Sequence, residues 1–402
     1  MLRSLTLEGR QSHPNILVFY LLTIILHSAF ISSNWIFYWT RFMTYGQLGL
    51  VDALAFGFGL FMEIPTGAVS DLIGKRRTLL AAMGFASTGM LMMAFANGMT
   101  ALLIGFLLAQ IGWAFYSGAA EAMAYDTLKE RNQEHTFEKV VTVSQRLGII
   151  TVVITALLGG LLYNAHYRLP HVAWSLSYVI GFVACWFITE PKTDEDSAAF
   201  SLKGYFDQLS QGFRQLARPA LRPYVLLIFA LMGIFSLFIN GLVQPALAVE
   251  FGFFADEQAV LVAVMGVLAA VSVGFVPMLR RRLPDHLGLT LLTFMMGLAW
   301  LLAALPLGFW GVIVLVMVRV VGEMAYPWFS VVINREIPSK FRSTTLSTVA
   351  LMTRLPYVVT AVIAGQMIEA GQLWLFNLAL GLSIMAVVSS TAVVGLFRRV
   401  RG

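Results

Sequence analysis

The chain has 402 residues, of which 58% are hydrophobic and 12% charged, and its formal net charge is +6. An average soluble domain has about 45–50% apolar and about 25% charged residues, so this composition excludes a soluble globular protein. The single cysteine, Cys185, excludes an intramolecular disulfide. The basic residues are scattered among loops between apolar runs, which argues against nucleic acid as a partner.

Apolar stretches run along the whole chain. About 20 mostly apolar residues are needed to cross a hydrocarbon core of ~30 Å. The first stretch is too long for the core of a signal peptide, and we interpret it as a membrane span. The sequence therefore predicts an all-α polytopic membrane protein whose twelve spans cover residues 14–38, 46–69, 77–97, 100–125, 138–162, 170–190, 222–248, 257–280, 286–305, 309–333, 342–367 and 373–397.

One long, charged connection, residues 191–221, divides the chain into six spans and six spans. We predict an N-terminal bundle over 1–190, a cytoplasmic linker over 191–221 and a C-terminal bundle over 222–402. Within the linker, apolar residues recur at helical spacing between Leu202 and Leu216. This pattern predicts an amphipathic helix on the inner membrane face, which tethers the two halves.

The distribution of Lys and Arg predicts the orientation. With the N-terminus inside, 22 of the 27 basic residues lie in cytoplasmic segments, and only Arg41 and Arg168 lie in outer loops. Cytoplasmic loops carry the excess of basic residues, so both termini are predicted to be cytoplasmic. No Asn-x-Ser/Thr acceptor occurs, which favours a prokaryotic inner membrane.

The loop between the second and third spans carries the most specific motif. It contains Gly67, Asp71, Gly74, Lys75 and Arg76 in the pattern G-x-x-x-D-x-x-G-K-R-R. At the end of a second hydrophobic span, this pattern resembles the loop signature of the major facilitator superfamily of secondary transporters. The resemblance implies twelve helices in two six-helix bundles around a central cavity. It also implies a monomer that is surrounded by membrane lipid and moves a small solute across the membrane.

The resemblance also implies roles for the loop residues. Asp71 would cap the positive N-terminal end of span 11 in the outward-open state. Asp126, at the inner end of span 4, would lie close enough to pair with Lys75 or Arg76.

The two halves repeat at an offset near 207 residues. Gly67 matches Gly274, and Glu121 and Arg146 have counterparts in the second half. Met278 stands where the second copy would carry Asp71, so that copy lacks the acid. Duplicated halves with a site between them are the architecture of such transporters.

Ionisable groups inside a bilayer are costly and are therefore functional candidates. Glu323 lies near the predicted midplane and has two possible partners, Arg319 and Arg354; Glu121 and Arg146 lie nearer the inner edge. These groups either couple transport to protons or form neutral ion pairs that hold helices together. Candidates for proton coupling are Glu323, Glu121 and Glu63; candidates for binding substrate or forming ion pairs are Arg354, Arg319, Arg146, Asn34, Asn240, Gln244 and Tyr326.

No phosphate-binding glycine loop, metal cluster or nucleophile–base constellation occurs, so the sequence indicates neither an enzyme nor a protein with a cofactor or metal. The preferred interpretation is proton-coupled efflux of an amphipathic metabolite or drug. Antiporters of the superfamily usually carry a glycine–proline signature in span 5, whereas residues 147–163 contain Gly159-Gly160 and no proline. Uptake of an anionic or zwitterionic nutrient, lipid flipping, and a receptor or scaffold role are the alternatives.

Overall fold

A computed structural model describes residues 13–191, 202–219, 221–337 and 339–400. These residues form helices and short connections, with no β-strand among them. The helices are α1 (Pro14–His27), α2 (Trp35–Trp39), α3 (Tyr45–Ile73), α4 (Lys75–Ala94), α5 (Met99–Lys129), α6 (Phe137–Ala165), α7 (Leu169–Cys185), α8 (Leu202–Leu216), α9 (Arg222–Ile228), α10 (Ile234–Asn240), α11 (Val243–Glu250), α12 (Ala255–Val273), α13 (Val276–Arg282), α14 (Asp285–Leu302), α15 (Gly311–Glu336), α16 (Ser339–Glu369) and α17 (Leu373–Val400).

Eight helices in the described part of the chain are long and apolar enough to cross a membrane: α3, α5, α6, α12, α14, α15, α16 and α17. A ninth span is bent by 69° between α10 and α11. The remaining predicted spans coincide with α1 and α7, which are apolar but shorter, and with α4, which begins with three basic residues. The helices therefore occupy all twelve predicted positions.

Three of the predicted spans are divided among two or more helices. The stretch 14–38 is interrupted by turns between α1 and α2, and 222–248 is interrupted at Gly241, whose extended backbone ends α10. The stretch 257–280 is interrupted because Pro277, which has no N–H to donate, lies in the first turn of a new helix, α13. The predicted amphipathic helix of the linker is present as α8.

Contacts divide the chain into two compact units. The first holds residues 1–42 and 55–202, and the second holds 43–54 and 203–402. The continuous helix α3 therefore begins in the second unit and continues into the first. The predicted bundle boundaries, 1–190 and 222–402, stay predictions; residues 43–54 group with the second unit because they pack on α16.

Close helix approach holds the first unit together. Helix α4 packs against α5 and α7, and α1 packs against α6 and α7. Between α4 and α5 the backbones nearly touch, because a Cβ on Gly89 would lie 2.5 Å from the carbonyl oxygen of Gly105. Small residues permit this approach, which drives helix association where lipid offers no hydrophobic gain.

In the second unit, α14 packs against α15 and α17, α12 against α15, and α10 against α16. Trp300 and Trp328 are the largest fully buried side chains. The Trp328 ring lies against Gly288 of α14, where a side chain would collide with it. Helix α15 is thus held from several sides, which gives its polar residues fixed positions.

Candidate functional site

The centre of the candidate site is an ion pair on α15. Nη2 of Arg319 lies 3.0 Å from Oε1 of Glu323, one helical turn away. The side chains are 21% and 35% exposed, so neither is fully solvated. Of the two partners predicted for Glu323, the structure brings Arg319 to it, whereas Arg354 is exposed on α16 and makes other interactions.

The pair lies midway along its helix. Glu323 is ten residues from Ile333, where the apolar part of α15 ends, which is ~15 Å at 1.5 Å per residue. Arg354 is the central residue of α16. An ionisable pair at this depth is costly, and such groups usually serve a substrate or proton pathway.

An aromatic ring covers the guanidinium. The Phe235 centroid is 6.0 Å from Cζ of Arg319, at the outer limit of a cation–π contact. Gly322 makes room for this ring, since any side chain there would collide with it. The Nε of Arg319 is buried and has no hydrogen-bond partner among the described residues. The site thus offers an apolar surface next to two opposite charges.

The segment that carries Phe235 is irregular. A π-helical turn, Phe229–Gly233, separates α9 from α10, and the break at Gly241 follows α10. Such turns are frequent at functional sites, and discontinuous helices line the binding sites of many transporters. Gln244, in the first turn of α11, is half-buried, whereas the side chain of Asn240 lies outside the described residues. Tyr326 is 57% exposed on α15.

The first unit has a matching break between α1 and α2. Asn34 precedes Gly241 by 207 residues, so both breaks lie at equivalent positions of the repeat. Asn34 is fully buried, and its Nδ2 donates to the carbonyl of Phe30 at 3.1 Å. Its Oδ1 has no partner in the described part of the chain. The carbonyl of Phe30 packs against Gly159 of α6, where any side chain would collide with it. This contact explains why the first residue of Gly159-Gly160 is a glycine.

The structure does not bring the other predicted pair together. Glu121 on α5 and Arg146 on α6 are both exposed, and the described residues contain no ion pair between them. Glu63 is also exposed, on α3, two residues before Pro65. These three residues stay candidates without a shared geometry.

The signature loop is held by a residue that sequence reasoning missed. The Glu190 carboxylate accepts the backbone N–H groups of Lys75 at 2.5 Å and Arg76 at 2.9 Å, at the start of α4. Arg76 also lies over the ring of Trp186, 5.4 Å from its centroid. No local pattern links Glu190 to a helix start 115 residues away.

Further residues of the predicted gating motif lie in the last turns of α3 and near the end of α5. The backbone of Gly67 and Asp71 is helical within α3, and the side chain of Asp71 lies outside the described residues. Asp126 is half-buried near the end of α5 and makes interactions of its own. Its pairing with Lys75 or Arg76 stays a prediction.

The second unit has an acid near its own basic triplet. Asp285 accepts from Nε of Arg280 at 3.0 Å, Nε1 of Trp328 at 2.8 Å and Nη1 of Arg335 at 2.8 Å. Hydrogen bonds to Glu336 and then to Asp285 raise the pKa of the Arg335 guanidinium above its usual value. Sequence reasoning missed this cluster. Asp285 provides an acid near the basic triplet of the second half, where Met278 occupies the position equivalent to Asp71.

A further missed residue is Asp52, which lies within the predicted span 46–69. It is buried, and the hydroxyl of Tyr357 donates to its Oδ2. The rule that singled out Glu63, an ionisable group inside a span, applies equally to Asp52. The signal was therefore present in the sequence.

Several solved structures share this fold. The nucleoside transporter NupG has 12% identity and a TM-score of 0.74, covering 94% of this chain and 98% of its own. An inward-facing, unoccupied bacterial homologue of the human lysosomal transporter Spinster has 15% identity and a TM-score of 0.69, covering 94% and 95%. A POT family transporter in complex with 5-aminolevulinic acid has 11% identity and a TM-score of 0.70, covering 96% and 97%.

At these identities the structural likeness shows the fold alone. No curated protein matches the sequence. The sequence model of the Major Facilitator Superfamily matches residues 15–361, which is most of the chain. The protein therefore belongs to the major facilitator superfamily, and it is a membrane transporter rather than an enzyme.

Proposed function

We propose that the protein is a proton-coupled secondary transporter that exports an amphipathic metabolite or drug by alternating access. We place it in a bacterial inner membrane with both termini in the cytoplasm, and propose that it works as a monomer. The observation that carries the proposal is the Arg319–Glu323 ion pair midway along α15, beside Phe235.

The pair links protons to solute because the Glu323 carboxylate has alternative partners: a proton, Arg319 or a cationic solute. When Glu323 binds a proton, Arg319 loses its partner and its guanidinium becomes available to an anionic group. When Glu323 is ionised, its carboxylate binds either Arg319 or a cationic solute in place of the proton. A ligand and a proton that compete for one group are coupled by linkage, and the coupling is reciprocal.

The surroundings of the pair favour an amphipathic solute. The Phe235 ring supplies apolar surface next to the charges. The fold likeness does not choose a substrate, because one similar structure is a nucleoside transporter and another binds 5-aminolevulinic acid, at 12% and 11% identity. Uptake of an anionic or zwitterionic nutrient is the second candidate, because the buried Nε of Arg319 lacks a partner among the described residues.

The test starts with purified protein and a metabolite library in a thermal-shift screen. A ligand that binds the folded state raises its stability by mass action. Hits are then assayed in proteoliposomes for solute flux and for substrate-induced pH change, with labelled lipid in a parallel assay for flipping.

Glu323→Gln should abolish accumulation driven by a proton gradient while substrate exchange continues, because the amide cannot bind and release a proton. Glu121→Gln is the matched control and should have a milder effect. Proton movement with substrate in Glu323→Gln, together with its loss in Glu121→Gln, would place the coupling site in the first half of the repeat.

A further inference from the structure

The first turns of α3 and the last turns of α16 form a continuous antiparallel contact, here called the α3–α16 seam. At one end, Oε2 of Glu369 accepts hydrogen bonds from Oγ1 of Thr44 and from the backbone N–H of Gly46, both at 2.7 Å. This end borders a groove of about 630 Å³, lined in part by Gln47 and Leu50. Water therefore reaches one end of the seam.

The middle of the seam is closed by backbone contact. A Cβ on Gly49 would lie 3.1 Å from Cα of Gly365 and would also collide with the carbonyl of Ala361. Leu48 and Val51 are buried on either side of this glycine. Such close packing leaves no room for water between the groove and the residues beyond Gly49.

Asp52 lies at the inner end of the seam. It is 3% exposed, and its carboxyl accepts the hydrogen bond of Tyr357, which is 2% exposed. On its other side, Tyr357 packs against Gly241 at the break between α10 and α11, where a Cβ would lie 2.5 Å from the tyrosine ring. The carboxyl is thus connected through one tyrosine to the discontinuous helix of the candidate site.

The charged groups around Asp52 are few. Tyr357 faces it from α16, and Arg354 lies one turn earlier on that helix but is exposed. The titratable groups at the outer end of the seam are Tyr45 and Glu369; on α10 and α11 the titratable side chain is Glu250, at the far end of α11. Among the described residues, no cation forms an ion pair with Asp52.

An ionised carboxylate buried without a cation is strongly unfavourable, whereas the protonated acid fits a dry seam with a tyrosine partner. We propose that Asp52 is a second proton-binding residue, whose protonation keeps the α3–α16 seam closed and whose ionisation accompanies its opening to the outer solution. This inference rests on the proposed proton-coupled transport and deepens it. Since α3 continues into the first unit beyond Leu54, release of the seam frees a helix shared by both units.

A cysteine reporter tests the proposal without a substrate. In a Cys185→Ala background, Ala361→Cys places a thiol at a fully buried position of the seam, and Leu50→Cys places one at an exposed position of the groove. Both are labelled in vesicles with a membrane-impermeant maleimide between pH 5 and pH 8. The ratio of the two rates removes the pH dependence of the thiolate itself.

If loss of one proton accompanies opening, this ratio rises by up to about tenfold per pH unit. In Asp52→Asn the ratio should be independent of pH, because the amide carries no titrating proton. Glu369→Gln, at the exposed end of the same seam, should keep the pH dependence. Asp52→Ser, which also lacks a carboxyl, replaces Asp52→Asn if that variant aggregates on size-exclusion chromatography.

A ratio that does not change with pH in the parent protein, or that changes equally in Asp52→Asn, would overturn the proposal. Failure of the proposed function is a separate result. If Glu323→Gln abolishes coupling but the pH dependence of the labelling ratio is the same in Asp52→Asn and the parent, only the seam proposal fails. If the ratio depends on Asp52 but no protons move with substrate, only the coupled-transport proposal fails.

Discussion

The N-terminus of α4 is capped by a residue distant in sequence, Glu190, because the N-cap residue itself is Gly74. Gly74 stands at the N-cap of α4 with a φ of +86°, a conformation that favours glycine, and it has no side chain to cap the helix. The first N–H groups of α4 are therefore capped by the Glu190 carboxylate. The side chain of Asn15 holds the backbone of the neighbouring Thr189: its Nδ2 donates to the Thr189 carbonyl at 2.8 Å and its Oδ1 accepts from the Thr189 N–H at 2.9 Å, which positions Glu190.

Glu190→Gln should destabilise the protein by about 1 kcal/mol, because the amide loses the charge that the helix N-terminus stabilises and accepts less strongly. For a unit of this size, that is a fall in Tm of about 2–4 °C, measurable by thermal unfolding in detergent. Glu134→Gln is the control, since Glu134 is exposed in a short turn. Equal Tm values for Glu190→Gln and the parent would show that the cap contributes nothing.

At the scale of elements, the α4–α5 contact depends on glycine. A Cβ on Gly89 would lie 2.5 Å from the oxygen of Gly105 and 2.7 Å from the nitrogen of Ala109, and backbone atoms cannot move aside easily. A Cβ on Gly84, in the same helix, would lie 3.7 Å from the Phe182 ring, which is an ordinary contact.

Gly89→Ala should therefore cost about 1–3 kcal/mol through overpacking. Gly84→Ala should be neutral or stabilising by up to ~1 kcal/mol, because alanine is the better helix former. Thermal unfolding of the two variants side by side isolates the contact from helix propensity. A similar Tm for both would mean that α4 and α5 separate without cost.

The positions of the elements were largely predictable, whereas their interruptions and partners were not. Hydropathy located the spans, because a helix that crosses lipid needs a long apolar stretch. The helical spacing of apolar residues located the amphipathic helix α8. The Arg319–Glu323 pair was predictable since it needs only one helix. The break at Gly241 follows Asn240 within an otherwise apolar stretch, so hydropathy alone does not locate it. The Asp52–Tyr357 contact joins residues 305 apart, so no local pattern predicts it.

At the scale of the whole molecule, corresponding features recur in both halves with different residues. Each half begins with a broken helix. Each half also has an acid beside its basic residues: Glu190 accepts backbone N–H groups of Lys75 and Arg76, and Asp285 accepts from the side chain of Arg335. The carboxylates proposed for proton coupling, Glu323 and Asp52, both belong to the second unit. We infer that the second unit binds the protons and that the signature loop of the first biases the conformational equilibrium.

Asp71 provides the test of this division. The family resemblance implies that Asp71 caps span 11 in the outward-open state, and a carboxylate stabilises a helix N-terminus more than an amide does. Asp71→Asn should leave folding and membrane insertion nearly intact while it lowers transport by about tenfold, equivalent to ~1.4 kcal/mol. Because the outward-open state loses its cap, labelling of Ala361→Cys from outside should fall in the same variant. Asp207→Asn, an exposed acid on α8, is the control. Parent-like flux and labelling in Asp71→Asn would remove the gating role and leave Asp71 as a surface acid.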